Sequence, residues 1–237
     1  MNKIARFSNI CRADAGSLSA LYEATSERTL AAWQQVPDCG EVMQNAHYDP
    51  HRLALATGIQ PPLSGAIASL RQKLAALTGD DPLADCMPAS GLHFTFLPVT
   101  LPLYEKGQRP QELDALRALW QTWDGQTTRI RGLRLVALPG QLLLAGIPDE
   151  ASQRARQTFC ETLLSSPWRD SLLARHKTTP LPPPFWHTTL LRYRAQCLPV
   201  PLRRFFIQER NRRYGDVAGP LILGLVNYNW TQVDRIK

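Results

Sequence analysis

Two short segments, far apart in the chain, read alike. His93-Phe94-Thr95-Phe96 lies within GLHFTFLPV, and His187-Thr188-Thr189-Leu190 lies within PFWHTTLLRY. Both are runs of β-branched, aromatic and aliphatic residues, which favour extended strands. Side chains two apart project from one face of a strand. Each segment therefore presents a histidine and a threonine together, and a fold that serves both must bring two separate strands to one place. By the same alternation His187, Thr189, Leu191 and Tyr193 share a face, and Trp186, Thr188, Leu190 and Arg192 take the other.

That pairing suits phosphodiester chemistry. Breaking a P–O bond is helped by a base that deprotonates the nucleophile and an acid that protonates the departing oxygen. Histidine, with a pKa near neutrality, does either. A threonine hydroxyl beside each ring can donate to a non-bridging phosphate oxygen and offset the charge that builds there. His93 and His187 are read as the acid–base pair, with Thr95 and Thr189 as substrate-binding residues; Tyr193 is a further substrate-binding candidate, although a tyrosine at a strand end is more often a packing residue. The chemistry asks for no metal and no other cofactor. A lone His-x-Thr on a strand is more often a packing feature; the second copy, in like surroundings, is what points to a site.

Charge is unevenly spread. Residues 1–48 carry 4 basic and 5 acidic side chains, whereas 49–237 carry 23 and 15. A basic region favours polyanionic partners such as RNA or nucleotides. The segment from Arg203 to Arg213 holds five arginines with Phe205 and Phe206. It reads more readily as an amphipathic helix with both phenylalanines in the core than as an RNA grip. The five cysteines form no C-x-x-C pair, which suits reduced thiols in a cytoplasm. The N-terminus lacks an apolar h-region and reads as uncleaved, and no apolar run nears the roughly 20 residues that span a bilayer.

Helical spacing runs from Ala15 to Gln35, followed by a polar connector over 37–50. A strand over 52–58, a helix over 63–77 and a loop over 81–91 lead to the first motif. A helix over 112–123, strands over 129–138 and 141–147 joined by Pro139-Gly140, and a helix over 151–166 precede the second. KTTPLPPP (177–184) is an extended lead into it, and a basic helix and a final strand over 220–233 close the chain. His47, His51 and His176 read as incidental, the last as exposed. Strand, helix and His-strand recur in each half.

With these features the sequence resembles the two-histidine phosphoesterase superfamily, which includes bacterial 2′-5′ RNA ligase-like proteins and 2′,3′-cyclic phosphodiesterases. The signature is a pair of His-x-Ser/Thr-x motifs, matched by His93/Thr95 and His187/Thr189. The resemblance covers 49–237 and leaves 1–48 as an N-terminal helical extension. It implies an α+β fold of two pseudo-symmetric lobes, each a mainly antiparallel sheet with flanking helices, and an active-site cleft between them. It further implies a phosphodiesterase acting on RNA ends or small nucleotides, for instance by opening a 2′,3′-cyclic phosphate. Other readings stay open: a nucleotide- or RNA-binding module without turnover, or cleavage or ligation of 2′-5′ or cyclic oligonucleotide linkages.

Overall fold

The computed structural model describes residues 15–43 and 49–237. His47, Cys11 and most of the N-terminal stretch read as uncleaved lie outside the described residues. The fold is α+β, built on two antiparallel sheets. In the first, β3 (Phe94–Pro98), β1 (Ala54–Ile59), β8 (Ile222–Val226) and β9 (Val233–Arg235) lie in that order. In the second the order is β2 (Ala84–Cys86), β6 (His187–Tyr193), β5 (Gln141–Pro148), β4 (Thr127–Leu138) and β7 (Val217–Pro220).

The recurrence in the sequence has a structural counterpart. Strand β1, helix α2 (Gly65–Thr78) and β3 form one unit, in which the motif strand returns antiparallel beside the first. Strand β5, helix α4 (Glu150–Leu164) and β6 form the other. Each helix has a local cause. Ser64 caps α2 by accepting from Ile67 N–H at 3.3 Å, and Ile67, Leu70 and Leu74 make its buried stripe. Asp149 caps α4 by accepting from Ser152 N–H at 2.8 Å, and Phe159, Cys160 and Leu163 face inward.

The two lobes share one core. Phe96 from β3 meets Trp186, the residue before β6, at 5.9 Å, and Phe159 of α4 at 6.3 Å. Trp120, at the end of α3 (Leu113–Trp120), closes the group at 5.0 Å from Phe159. Each such aromatic pair adds about 0.5–1.5 kcal/mol beyond its burial, and this cluster fixes one motif strand relative to the other. His176, at the end of α5 (Arg169–Arg175), joins the lobes as well. It is buried, not exposed as its basic surroundings suggest. Its Nε2–H donates to the Pro98 carbonyl at 2.9 Å, so Nδ1 accepts from the Thr179 hydroxyl at 3.0 Å.

The N-terminal helix α1 (Ala15–Gln35) lies along β4 and β5. Strand β7 pairs only with Thr127–Ile130 of β4, so Ala137 has its backbone groups on a stretch of edge that β7 does not cover; its N–H meets Ser26 Oγ at 3.3 Å and its carbonyl the Thr29 hydroxyl at 2.9 Å. The helix thus covers an edge that would otherwise invite another strand. Leu18 and Trp33 of α1 belong to the main core. In α6 (Val200–Glu209), Phe205 and Phe206 are buried. Arg203 is buried too, and donates to the carbonyls of Leu198, Trp33 and Val36 at 2.6, 2.7 and 2.9 Å. The two phenylalanines are in the core as the amphipathic reading expects, whereas the buried Arg203, which binds the C-terminal end of α1, is a feature that reading did not include. None of Cys39, Cys86, Cys160 and Cys197 is in a disulfide. Among the described residues no helix is long and apolar enough to cross a membrane.

Candidate active site

Both motif strands carry a bulge at the same place. In β1–β3, Gly58 stands opposite Thr95 and Thr57 opposite Leu97, so Phe96 is an extra residue. In β5–β6, Leu143 stands opposite Thr189 and Leu142 opposite Leu191, so Leu190 is extra. A bulge breaks the two-residue alternation. Phe96 with Leu97, and Leu190 with Leu191, are therefore all buried in the main core.

The second bulge corrects the sequence reading of β6. Thr189 pairs with Leu143 and Arg192 with Gln141, two residues apart on β5. Arg192 therefore joins His187 and Thr189 on one face, and Tyr193 turns to the other. Tyr193, expected to reach substrate, is buried and donates its hydroxyl to Asp81 Oδ2 at 2.8 Å. Burial, and then that carboxylate, push its pKa up. It is a core residue.

His93 sits between a 3-10 turn (Ala89–Gly91) and β3, and is buried. Its Nδ1 lies 2.7 Å from the Gly91 carbonyl oxygen. A carbonyl only accepts, so Nδ1 carries the proton and Nε2 is the bare nitrogen of the neutral ring. The ring stacks on Trp230, with centroids 4.9 Å apart and planes 6° from parallel. Trp230 lies in the turn between β8 and β9 in a left-handed conformation, φ 54°. Asn227 holds that turn: its carbonyl accepts from Trp230 N–H at 3.1 Å, and its side chain bonds the Thr231 hydroxyl and Gln232 N–H at 2.9 and 3.1 Å.

His187 opens β6 and is half-buried. Phe185 meets its ring edge-on at 6.0 Å. Its Nδ1 is buried without a hydrogen-bond partner among the described residues.

Burial holds both rings neutral. It pulls the His93 pKa down to about 3, against the Gly91 bond and with help from the Arg192 and His187 charges. It pulls His187 to about 4, with Arg192 and then Arg156 adding to the effect. Arg192 thus lies within electrostatic reach of both histidines. It in turn faces Asp85 of β2 at 3.9 Å and the Tyr228 ring at 5.0 Å.

The structure therefore brings together His93, His187 and Thr189, with Thr95 next to His93 on its strand. It adds Arg192, Trp230 and Asp85, and leaves out Tyr193. The arginine could be found from sequence only by foreseeing the bulge. Nothing local marks Trp230. Among the described residues no three His, Cys, Asp or Glu side chains are grouped so as to hold a metal ion.

No protein-family model matches this chain, and no curated protein matches it. Among solved structures it is similar to TT0787 of Thermus thermophilus, at 16% identity and a TM-score of 0.47, over 78% of this chain and 95% of that one. It is likewise similar to ATU0111 of Agrobacterium tumefaciens, a conserved protein of unknown function, at 14% identity and a TM-score of 0.46, over 81% and 90%.

Proposed function

We propose that the protein is a metal-independent phosphodiesterase acting on RNA ends or small, including cyclic, nucleotides. The observation that carries this is the convergence of two His-x-Thr strands under the charge of one arginine. Arg192 lies within electrostatic reach of both histidines, and a phosphodiester held there meets a cation and two imidazoles at once.

The Gly91 bond assigns the base role to His93 and leaves the acid role to His187. His93, bare at Nε2, takes a proton from water as its oxygen attacks phosphorus; the Gly91 carbonyl then stabilises the imidazolium. His187 gives a proton to the ribose oxygen as its P–O bond breaks. The resting His187 is neutral, so its ring takes up a proton from solvent as the substrate binds. An anionic phosphate offsets Arg192 and favours the charged ring. Thr95 and Thr189 donate to the non-bridging oxygens.

The test is a screen of the purified protein, in excess chelator, against 2′,3′-cyclic nucleotides, 2′-5′ dinucleotides, linear RNA and cyclic oligonucleotides. Turnover of at least one class in chelator is expected. Binding without turnover would make it a nucleotide-binding module, and turnover restored only by a divalent ion would overturn the mechanism.

A further inference from the structure

We propose that Tyr22 is a positioning residue for His187, which makes helix α1 a working part of the site. The proposal rests on reading His187 as a catalytic group.

In a regular antiparallel pair, two facing residues on a hydrogen-bonded rung exchange two backbone bonds. Gly146 and Trp186, one step beyond the Ala145–His187 pair, make only one directly: Gly146 N–H reaches the Trp186 carbonyl at 3.0 Å. The return path runs through the Tyr22 hydroxyl. It accepts from Trp186 N–H at 3.1 Å and donates to the Gly146 carbonyl at 2.9 Å. The hydroxyl is a wedge between β5 and β6 at the point where His187 emerges.

The ring adds a second contact. Tyr22 meets Phe185 edge-on at 5.0 Å, and Phe185 meets the His187 ring edge-on at 6.0 Å. Tyr22 itself is 1% exposed, packed with Val136, Leu143 and Ala145 on the sheet face that carries His187 and Thr189. Arg156 completes the support. It donates to the Phe185 and Pro184 carbonyls at 3.1 and 3.4 Å and lies 3.8 Å from the Trp186 ring. A tyrosine serving only to dock a helix would not need both hydrogen bonds on the two strands beside a histidine. Without the hydroxyl, Trp186 N–H and Gly146 O either stay apart unsatisfied or close directly, and either way the peptide leading into His187 loses its set position.

The experiment uses the full chain labelled with 15N at histidine, with ring resonances assigned through His93→Gln and His187→Gln. Tyr22→Phe is expected to change the resonances and titration midpoint of His187 and to leave those of His93. Ser26→Ala, which loosens α1 at Ala137 without touching the strand of His187, is expected to leave both. On a cyclic nucleotide, Tyr22→Phe is expected to lower kcat by about 10- to 100-fold, as small misplacements do, with KM within about threefold. Unchanged His187 resonances in Tyr22→Phe, or an equal change in Ser26→Ala, would overturn the proposal. Should Tyr22→Phe fail to fold, Phe185→Leu tests the ring contact, and an unchanged His187 there overturns it as well. Absence of turnover in every variant, wild type included, would sink the phosphodiesterase reading while the ring spectra still decide the role of Tyr22.

Discussion

His93 and Trp230 lie face to face, 4.9 Å apart and 6° from parallel, although 137 residues separate them in the chain. The contact depends on Gly58. A Cβ there would come within 2.6 Å of the Phe94 carbonyl oxygen and 2.8 Å of the Trp230 ring. Gly58→Ala should therefore cost about 1–3 kcal/mol, as overpacking does, and should lower turnover by disturbing the Trp230–His93 stack. Denaturant unfolding and kcat/KM measure the two effects; wild-type values of both would show that the close approach is dispensable.

Removing either histidine should be severe. His93→Ala or His187→Ala alone should lower turnover by at least about 10², and the double variant should lose little more, because acid and base act as a unit. A folded single variant with the wild-type rate would remove that histidine from the chemistry.

Acid should weaken the fold in a defined window. Both histidines titrate below the ordinary 6.5 when folded, at about 3 and about 4. Between pH 6.5 and about 4 the unfolded chain binds protons that the folded protein does not. Stability is thus full above 6.5 and falls as pH falls through that window, each unit of depression being worth about 1.4 kcal/mol. Urea unfolding from pH 7 to 4 should show this slope in wild type and a flatter one in the His93→Gln, His187→Gln double variant. The same shifts move the activity profile away from the neutral bell that unperturbed histidines imply. On the proposed mechanism His187 must gain a proton in the free protein, so kcat/KM should climb as pH falls from 8 toward 5. A maximum at neutrality would mean that the buried rings keep their ordinary pKa.

The threonines should matter without holding up the fold. Thr95→Val and Thr189→Val keep a β-branched residue on the strand and remove a donor. By analogy with oxyanion donors, each should cost about 2–4 kcal/mol in the transition state with melting temperature little changed. Full kcat/KM in both variants would leave only the histidines in the site.

Arg192 and Tyr193, adjacent in sequence, should separate cleanly. Arg192→Met should lower kcat/KM and raise the titration midpoints of both histidines somewhat, since burial holds them down and the cation adds to it. Tyr193→Phe should act on stability, through Asp81, and leave the histidines alone. Titrating the ring resonances of each variant decides; a His187 shift in Tyr193→Phe would contradict the register of β6.

Much of this protein is written locally. The hydrophobic spacing of α1 marks Ala15–Gln35, the helical segments over 63–77 and 151–166 foreshadow α2 and α4, and Pro139-Gly140 marks the β4–β5 turn. These depend on neighbours a few residues away, so the chain carries them in plain order. The two His-x-Thr pairs are equally local, because residues two apart on a strand need no tertiary information to share a face.

Long-range packing takes over where that alternation fails. A bulge is set by how a strand pairs with its partner, and one extra residue at Leu190 exchanges the faces of Arg192 and Tyr193. The burial that neutralises His93 and His187 comes from segments that close over them. The Trp230 stack and the Tyr22 wedge join residues more than a hundred positions apart. Residue types and their local spacing limit which side chains are candidates for acid–base work; the packed fold sets which of them meet, because contact between distant segments is a property of the folded core and not of any stretch of chain.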